Sequence, residues 1–396
     1  MQSRDRVRHG LMTATLTLAS VLLALVLSEA LLRAVSPDAY YVWTPYTRGV
    51  FRPQFAPGVG GESHFSINQA GIRGDPFTPQ QRYRLLAIGG STTECLLLDD
   101  AKAWPHLLQE LLNAPLGEGS MWVGNVGRSG LRAPHHQLHV KYLLGQYPRI
   151  DALIVLVGIN DLQYRLALDA DFRPEPLESS DYRVRLMQRA FSELPRRYRS
   201  GPLYKRTEMW RRLRALKLLL SGWIGVEPHM QDETGSNLVT WRQHRQGAAR
   251  LRDSLPDLTP ALQEYARQLN GLLDEARRFG TRVILVTQPA IWRPGLPPRV
   301  RQLLWMGGVG DFQAQSGKDY YSVEAMARAL DRYNQTLLEV CRDRRAECLD
   351  LAAALPKDTT IFYDDVHFNE AGAQRVAKVF AAYLLTHDRL NRTNPQ

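Results

Sequence analysis

Four short stretches hold the residue types that could carry chemistry. Gly89-Gly90-Ser91-Thr92-Thr93 follows the apolar run Leu85-Leu86-Ala87-Ile88. A serine held on a glycine turn after a buried strand exposes both its hydroxyl and its own N–H at a helix N-terminus. "NVGRSG" ends at Gly130, whose N–H could reach the same point, with Ser129 as a rival nucleophile. "VGIND" carries Asn160 and Asp161 at the end of a second apolar run. An amide there must find a partner, either as a turn cap or as the third donor of an oxyanion hole. Near the C-terminus, Asp364 and His367 are three apart on one loop. Such a histidine accepts a serine proton, and such a carboxylate fixes its tautomer. Together these residues point to attack of Ser91 on a carbonyl. A metal site made from Asp364, Asp365, His367 and Asn369 has one histidine and ligands too close in sequence to converge, so no metal or organic cofactor is expected. Asp365 is expected to face solvent. A phosphate loop does not fit, since no Gly-Lys-Ser/Thr follows the glycines, and Gly-x-Ser-x-Gly does not occur at Ser91.

The elements that must position these residues alternate. Strands are expected at 84–88, 122–126, 152–157, 282–288 and 348–352, with helices at 103–114, 131–146, 259–278, 322–342 and 369–386. Near-continuous apolar strands between helices argue for a parallel sheet covered on both faces. The loops near Tyr164 and over 290–319, with Trp292 and Trp305, are expected to choose the substrate. Residues 165–258 interrupt the alternation as a basic insertion rich in tryptophan and leucine. A helical lid or plain packing is the expected role; a helix lying on a membrane surface is the alternative.

Upstream, residues 10–28 are 19 residues without a charge, preceded by Arg4, Arg6 and Arg8. The length suits a bilayer span, and the arginines keep the N-terminus cytoplasmic. A cleaved signal peptide, the competing reading, ordinarily has a shorter apolar region. The expected layout is a cytoplasmic stretch at 1–9, a signal-anchor helix at 10–34, a stalk that packs on the sheet edge at 35–80, and a catalytic domain at 81–390. The domain then lies outside the inner membrane, in the periplasm or beyond the cell. Hydrophobic content of 44% and charge of 23% are those of a globular protein. The net charge of +10 suits an anionic surface, yet no nucleic-acid-binding motif is present. Cys341 and Cys348 could form a disulfide in an oxidising compartment, and Cys95 reads as a small core residue.

The set resembles the SGNH, or GDSL-type, hydrolase superfamily. Its four blocks match as Gly89-Gly90-Ser91, Gly130, Gly158-Ile159-Asn160-Asp161 and Asp364-Asp365-Val366-His367. The resemblance implies Ser91 as nucleophile, His367 as base and Asp364 as its orienting partner. It implies an oxyanion hole from the N–H groups of Ser91 and Gly130 and the Asn160 side chain. It also implies a three-layer flavodoxin-like sandwich with a parallel sheet of about five strands. The first block departs from the family's Gly-Asp-Ser at Gly90. That form, with "INQAGIRG" upstream at 67–74, looks like a membrane-anchored bacterial branch. The likeness spans about residues 66–165 and 259–388. The expected activity is hydrolysis of an acyl ester, foremost an O-acetyl group on a cell-envelope or exported polysaccharide. Acyl transfer to a sugar hydroxyl and cleavage of a lipid ester would use the same triad. An inactive glycan-binding or assembly protein is the reading from another class. A histidine base predicts that activity falls below about pH 6–7. Acyl length, acceptor and oligomeric state have no sequence signal.

Overall fold

The chain opens with α1 (Gln2–Val35), whose most apolar 18-residue stretch, within Arg8–Val35, has a mean hydropathy of 2.2 and is not buried against the protein. That helix is long and apolar enough to cross a membrane, and a signal sequence has the same properties. The computed structural model describes residues 2–36, 38–174, 179–223 and 233–387. Residues 175–178 and 224–232 of the expected insertion, residue 1, residue 37 and the end of the expected domain at 388–390 lie outside the described residues.

The segment expected as a stalk is largely folded onto the sheet. It forms an antiparallel hairpin, β1 (Arg48–Phe51) with β2 (Ser63–Ser66), which buries Phe51 and Phe65. Val42 and Ile72 are also buried, and Arg73 makes an antiparallel bridge to Asn125. The Pro/Gly content hid this, because packing here comes from scattered aromatic and aliphatic anchors rather than from a period.

The core is a five-stranded parallel sheet. Its strands are β3 (Tyr83–Gly89), β4 (Met121–Asn125), β5 (Ala152–Leu156), β7 (Arg282–Val286) and β9 (Glu347–Leu349). A separate parallel pair joins β6 (Leu251–Arg252) to β8 (Tyr320–Tyr321). The spatial order β4-β3-β5-β7-β9 is the flavodoxin-like order. Its crevice therefore lies beyond the carboxyl ends of β3 and β5, where the winding reverses. Register places Ala87 beside both Asn125 and Ile154. Leu85 to Ile88 and all of β5 are inaccessible to solvent, which is why both read as unbroken apolar runs.

The helices are α2 (Ser91–Glu94), α3 (Trp104–Leu116), α4 (Ala133–Leu143), α5 (Ile159–Leu168), α6 (Ser180–Ala190), α7 (Glu208–Trp223) and α8 (Glu233–Gln246). They continue with α9 (Thr259–Arg278), α10 (Pro298–Arg301), α11 (Val323–Arg344), α12 (Leu351–Ala354) and α13 (Glu370–His387). α3 packs on α13 in one layer, and α9 packs between α4 and α11 in the other. α9 shows how a layer is specified: Leu262, Tyr265, Leu269, Leu272 and Ala276 recur at helical spacing and are buried. In α3, Trp104 is fully buried against Phe380 of α13, with ring centroids 4.8 Å apart. Truncating such a ring costs about 3–5 kcal/mol.

Candidate active site

The turn after β3 is shaped by what surrounds it. α2 begins at Ser91, and its short ladder leaves carbonyls at its end that need partners. Arg73, itself buried, supplies them: its guanidinium donates to the carbonyls of Glu94 at 2.6 Å, Cys95 at 2.8 Å and Leu98 at 2.6 Å, and to Asp100 at 2.7 Å. Trp104 Nε1 donates to Thr92 O at 3.0 Å. The motif at 67–74 thus fastens the serine helix from beneath. Gly90 has its own reason: a Cβ there would collide with Asn160 Nδ2, so the missing aspartate leaves room for the strand-end amide.

His367 Nε2 lies 2.7 Å from Ser91 Oγ, and His367 Nδ1 lies 2.7 Å from Asp364 Oδ2. Asp364 is fully buried and accepts from Val366 N at 3.0 Å, His367 N at 2.9 Å and Trp305 Nε1 at 3.0 Å. Burial alone would raise its pKa, but the His367 charge and these hydrogen bonds outweigh that and hold it below the usual carboxylate value. For His367 burial works downward, and the Asp364 charge and hydrogen bond overcome it, so the imidazole is pushed above its ordinary value.

Asp365 does not face solvent; it is fully buried. It accepts from Trp292 Nε1 at 2.8 Å, Trp305 N at 2.7 Å and Met306 N at 3.2 Å. Burial, with the neighbouring Asp364 charge, raises its pKa, and the buried Arg245 opposes that. The second aspartate therefore ties the 290–306 loop to the triad loop. Asn369 turns to other work, donating to Thr359 O at 2.9 Å and accepting from Gly372 N at 2.8 Å. Among the described residues there is no group of three or more potential metal ligands.

On the other side of Ser91, Gly130 takes the left-handed conformation (φ +73°), and Asn160 Nδ2 donates to Leu131 O at 2.8 Å. An amide has two N–H donors, so this bond orients the group and uses only one. Asp161, the next residue, accepts from Ala133 N at 3.0 Å and caps α4, and its burial pushes its pKa up to about 7. Asn160 and Asp161 together fix the 130–133 turn, a pairing with no signal in either residue alone. Ser129 donates its hydroxyl to the buried carboxylate of Glu94, whose pKa burial raises to about 7 despite that bond. Its partner is an acid, and the histidine contact belongs to Ser91.

Ser91, Gly130, Asn160 and His367 line one cavity of about 720 Å³. Of the residues expected to choose the substrate, Tyr164 and Trp305 line the cavity, whereas Trp292 sits behind it on Asp365. The insertion contributes Arg189 from α6 and Leu238 and Trp241 from α8, so those two helices wall the cavity. The Trp241 ring packs tilted against that of Trp305, with centroids 4.7 Å apart, and Arg132 lies over the Tyr164 ring at 3.7 Å. Trp241 and Arg132 went unnoticed in the sequence, where neither belongs to a motif. Cys341 and Cys348 form a disulfide with Cα atoms 6.1 Å apart, joining the end of α11 to β9. Cys95 is buried at the end of α2.

The profile of the GDSL-like lipase/acylhydrolase family matches residues 87–375 of the chain. Comparison with curated protein sequences gives no match. Among solved structures, the chain is similar to Axe2, an acetylxylan esterase from Geobacillus stearothermophilus, at 16% identity over 76% of this chain and 94% of that one, with a TM-score of 0.39. LAE5, an alpha/beta hydrolase enzyme from the metagenome of Lake Arreo, Spain, gives the same identity, coverage and TM-score of 0.39.

Proposed function

Because this chain belongs to the GDSL-like lipase/acylhydrolase family and is a serine hydrolase acting on esters, we propose that Ser91 is its nucleophile and that it removes acyl groups, foremost O-acetyl, from a cell-envelope or exported polysaccharide. The observation that carries the reading is the chain of contacts Ser91 Oγ to His367 Nε2 at 2.7 Å and His367 Nδ1 to Asp364 at 2.7 Å, opening into one cavity. In this mechanism Ser91 Oγ attacks the ester carbonyl while His367 Nε2 takes its proton. The carbonyl oxygen becomes an oxyanion facing the N–H groups of Ser91 and Gly130 and the free N–H of Asn160. His367 returns the proton to the leaving sugar oxygen, leaving an acyl-serine. Water, deprotonated by His367, attacks that acyl group and frees Ser91. Asp364 keeps the imidazole in the tautomer that presents a lone pair to Ser91.

A sugar is favoured by the cavity walls, which include the rings of Tyr164, Trp241 and Trp305 and the amides of Gln163 and Asn237. Aromatic faces take the apolar faces of pyranose rings, and amides take hydroxyls. The proposed setting is outside the inner membrane with α1 retained as anchor, supported by the arginines that precede it and by the disulfide. The test is hydrolysis of p-nitrophenyl acetate, longer acyl esters and an O-acetylated polysaccharide by the full-length protein in detergent, beside Ser91→Ala. Acetate release from the polysaccharide, lost in the variant, is expected. A preference for long acyl chains would move the substrate to lipids. Acetyl appearing on an added glycan rather than in water would make the enzyme a transferase.

A further inference from the structure

The part of the insertion that does not wall the cavity is α7, and it is joined to α1. Glu29, the first residue after the uncharged stretch of α1, accepts from Glu208 N at 3.0 Å and Met209 N at 3.0 Å, two donors of the first turn of α7 that lack an intrahelical partner. Arg33 donates to the same carboxylate at 2.7 Å. Arg196 reaches the carbonyls of Arg33 at 2.9 Å and Ser36 at 3.2 Å, and Arg212 reaches Ser36 Oγ at 3.0 Å. So α7 starts at the level where α1 leaves its apolar stretch.

From there α7 presents an uncovered apolar stripe. Trp210, Leu213, Leu216 and Leu220 recur at helical spacing with exposures of 40%, 56%, 49% and 48%, while Leu218 faces the protein at 7%. The turn before α7 adds Leu203 at 79% and Tyr204 at 53%, the latter packed edge-on to Trp210. Exposed basic side chains flank the stripe at Lys205, Arg206, Arg214 and Lys217. A contiguous apolar stripe of this kind is uncommon on a soluble surface. Leucine and tryptophan on one face with lysine and arginine beside them is the pattern of a helix lying in a lipid headgroup layer.

We propose that α7 and the turn before it lie on the leaflet from which α1 emerges, with the Trp210 to Leu220 stripe among the upper acyl carbons and the flanking basic groups on lipid phosphates. The occupant is an anionic bilayer, because the stripe is continuous with the membrane-crossing helix and its rim is positive. The contact rests on α1 being retained as a span, as proposed above. Its consequence is orientation: α1 alone ties the domain to the membrane at one place, whereas a second contact holds the cavity at a fixed height and attitude over it.

The test places an environment-sensitive fluorophore on single cysteines, Leu213→Cys or Leu216→Cys, in the full-length protein. Leu22→Cys in α1 and Glu118→Cys, at an exposed position outside the insertion, are the references, and retained ester hydrolysis shows that each labelled protein is folded. The proteins are reconstituted in phosphatidylglycerol–phosphatidylcholine vesicles containing a spin-labelled lipid quencher. Blue-shifted, quenched emission at 213 and 216, intermediate between positions 22 and 118, is the expected result. Leu216→Glu with Leu220→Glu should return the label at 213 to water-like emission. Labels at 213 and 216 that behave like the one at 118, while the one at 22 is quenched, would overturn the proposal and leave the stripe to a protein partner. If the label at 22 is also unquenched, α1 is not inserted and the proposal falls with the anchor; the esterase reading stands apart from both results.

Discussion

Replacing Asp364 by asparagine changes one atom and sets a conflict that the contacts make explicit. Every partner of the carboxylate is a donor: Val366 N and His367 N on Oδ1, and His367 Nδ1 and Trp305 Nε1 around Oδ2. If the asparagine oxygen keeps the two backbone N–H groups, its NH2 meets His367 Nδ1–H and Trp305 Nε1–H. The imidazole relieves this by moving its proton to Nε2, which then points a donor at Ser91 and can no longer take a proton. In Ser-His-Asp systems that tautomer error lowers kcat by about 10⁴, equivalent to about 5 kcal/mol of barrier. The pH profile gives a second readout. Asp364 is what lifts His367 above its ordinary pKa against burial, so the wild-type acid limb should have its midpoint above the ordinary histidine value of about 6.5. In Asp364→Asn the lift is gone, burial remains, and the limb should move to lower pH. Stopped-flow or steady-state hydrolysis of p-nitrophenyl acetate from pH 5 to 9 measures both. A fall in kcat of less than about tenfold, or an acid limb that does not move, would show that Asp364 does not set the His367 tautomer.

Other substitutions probe the supports. Gly90→Ala should push the Asn160 amide aside and lower kcat by up to about 10²-fold, with little change in KM, as for loss of an oxyanion donor; steady-state kinetics on acetate esters would show it. Arg73→Met strips three buried carbonyls of their donor, so thermal unfolding should report a loss of about 3 kcal/mol or more, and a displaced α2 should also slow the chemistry. Glu94 sits at about 7 in the folded protein, above its ordinary 4.5. The folded state therefore holds the extra proton between those values, and stability falls as pH rises through that window, by about 3 kcal/mol in all. Glu94→Gln should flatten that part of the Tm against pH curve; an unchanged slope would contradict the assignment.

The parts of the fold visible in the sequence are those with local cause. Leu85 to Ile88 and Ala152 to Leu156 are buried by both helix layers, so their composition alone announces strands, and glycines or Asn-Asp at their ends announce turns. The structure brings Ser91, Gly130, Asn160 and His367 to one cavity because each follows the carboxyl end of a strand or the last loop of the same sheet. What was hidden depends on partners far along the chain. Asp365 looks like any loop carboxylate until Trp292 and Trp305 close over it. Arg73 stands in the INQAGIRG stretch, but nothing in that stretch shows that its guanidinium completes α2. The insertion's composition could not divide it into cavity walls, α6 and α8, and an outward helix, α7. That division is set by contacts rather than by residue type: α6 packs on α4, α8 bonds to the 303–312 loop and α7 packs on α1.

The account stands on Ser91 as the residue that becomes acylated. Treating the full-length protein with a fluorophosphonate and mapping the modified peptide by mass spectrometry would test this most directly. The prediction is a single stoichiometric label on Ser91, abolished in Ser91→Ala and strongly slowed in His367→Ala. Label on Ser129, or none on a folded protein that hydrolyses esters, would contradict it.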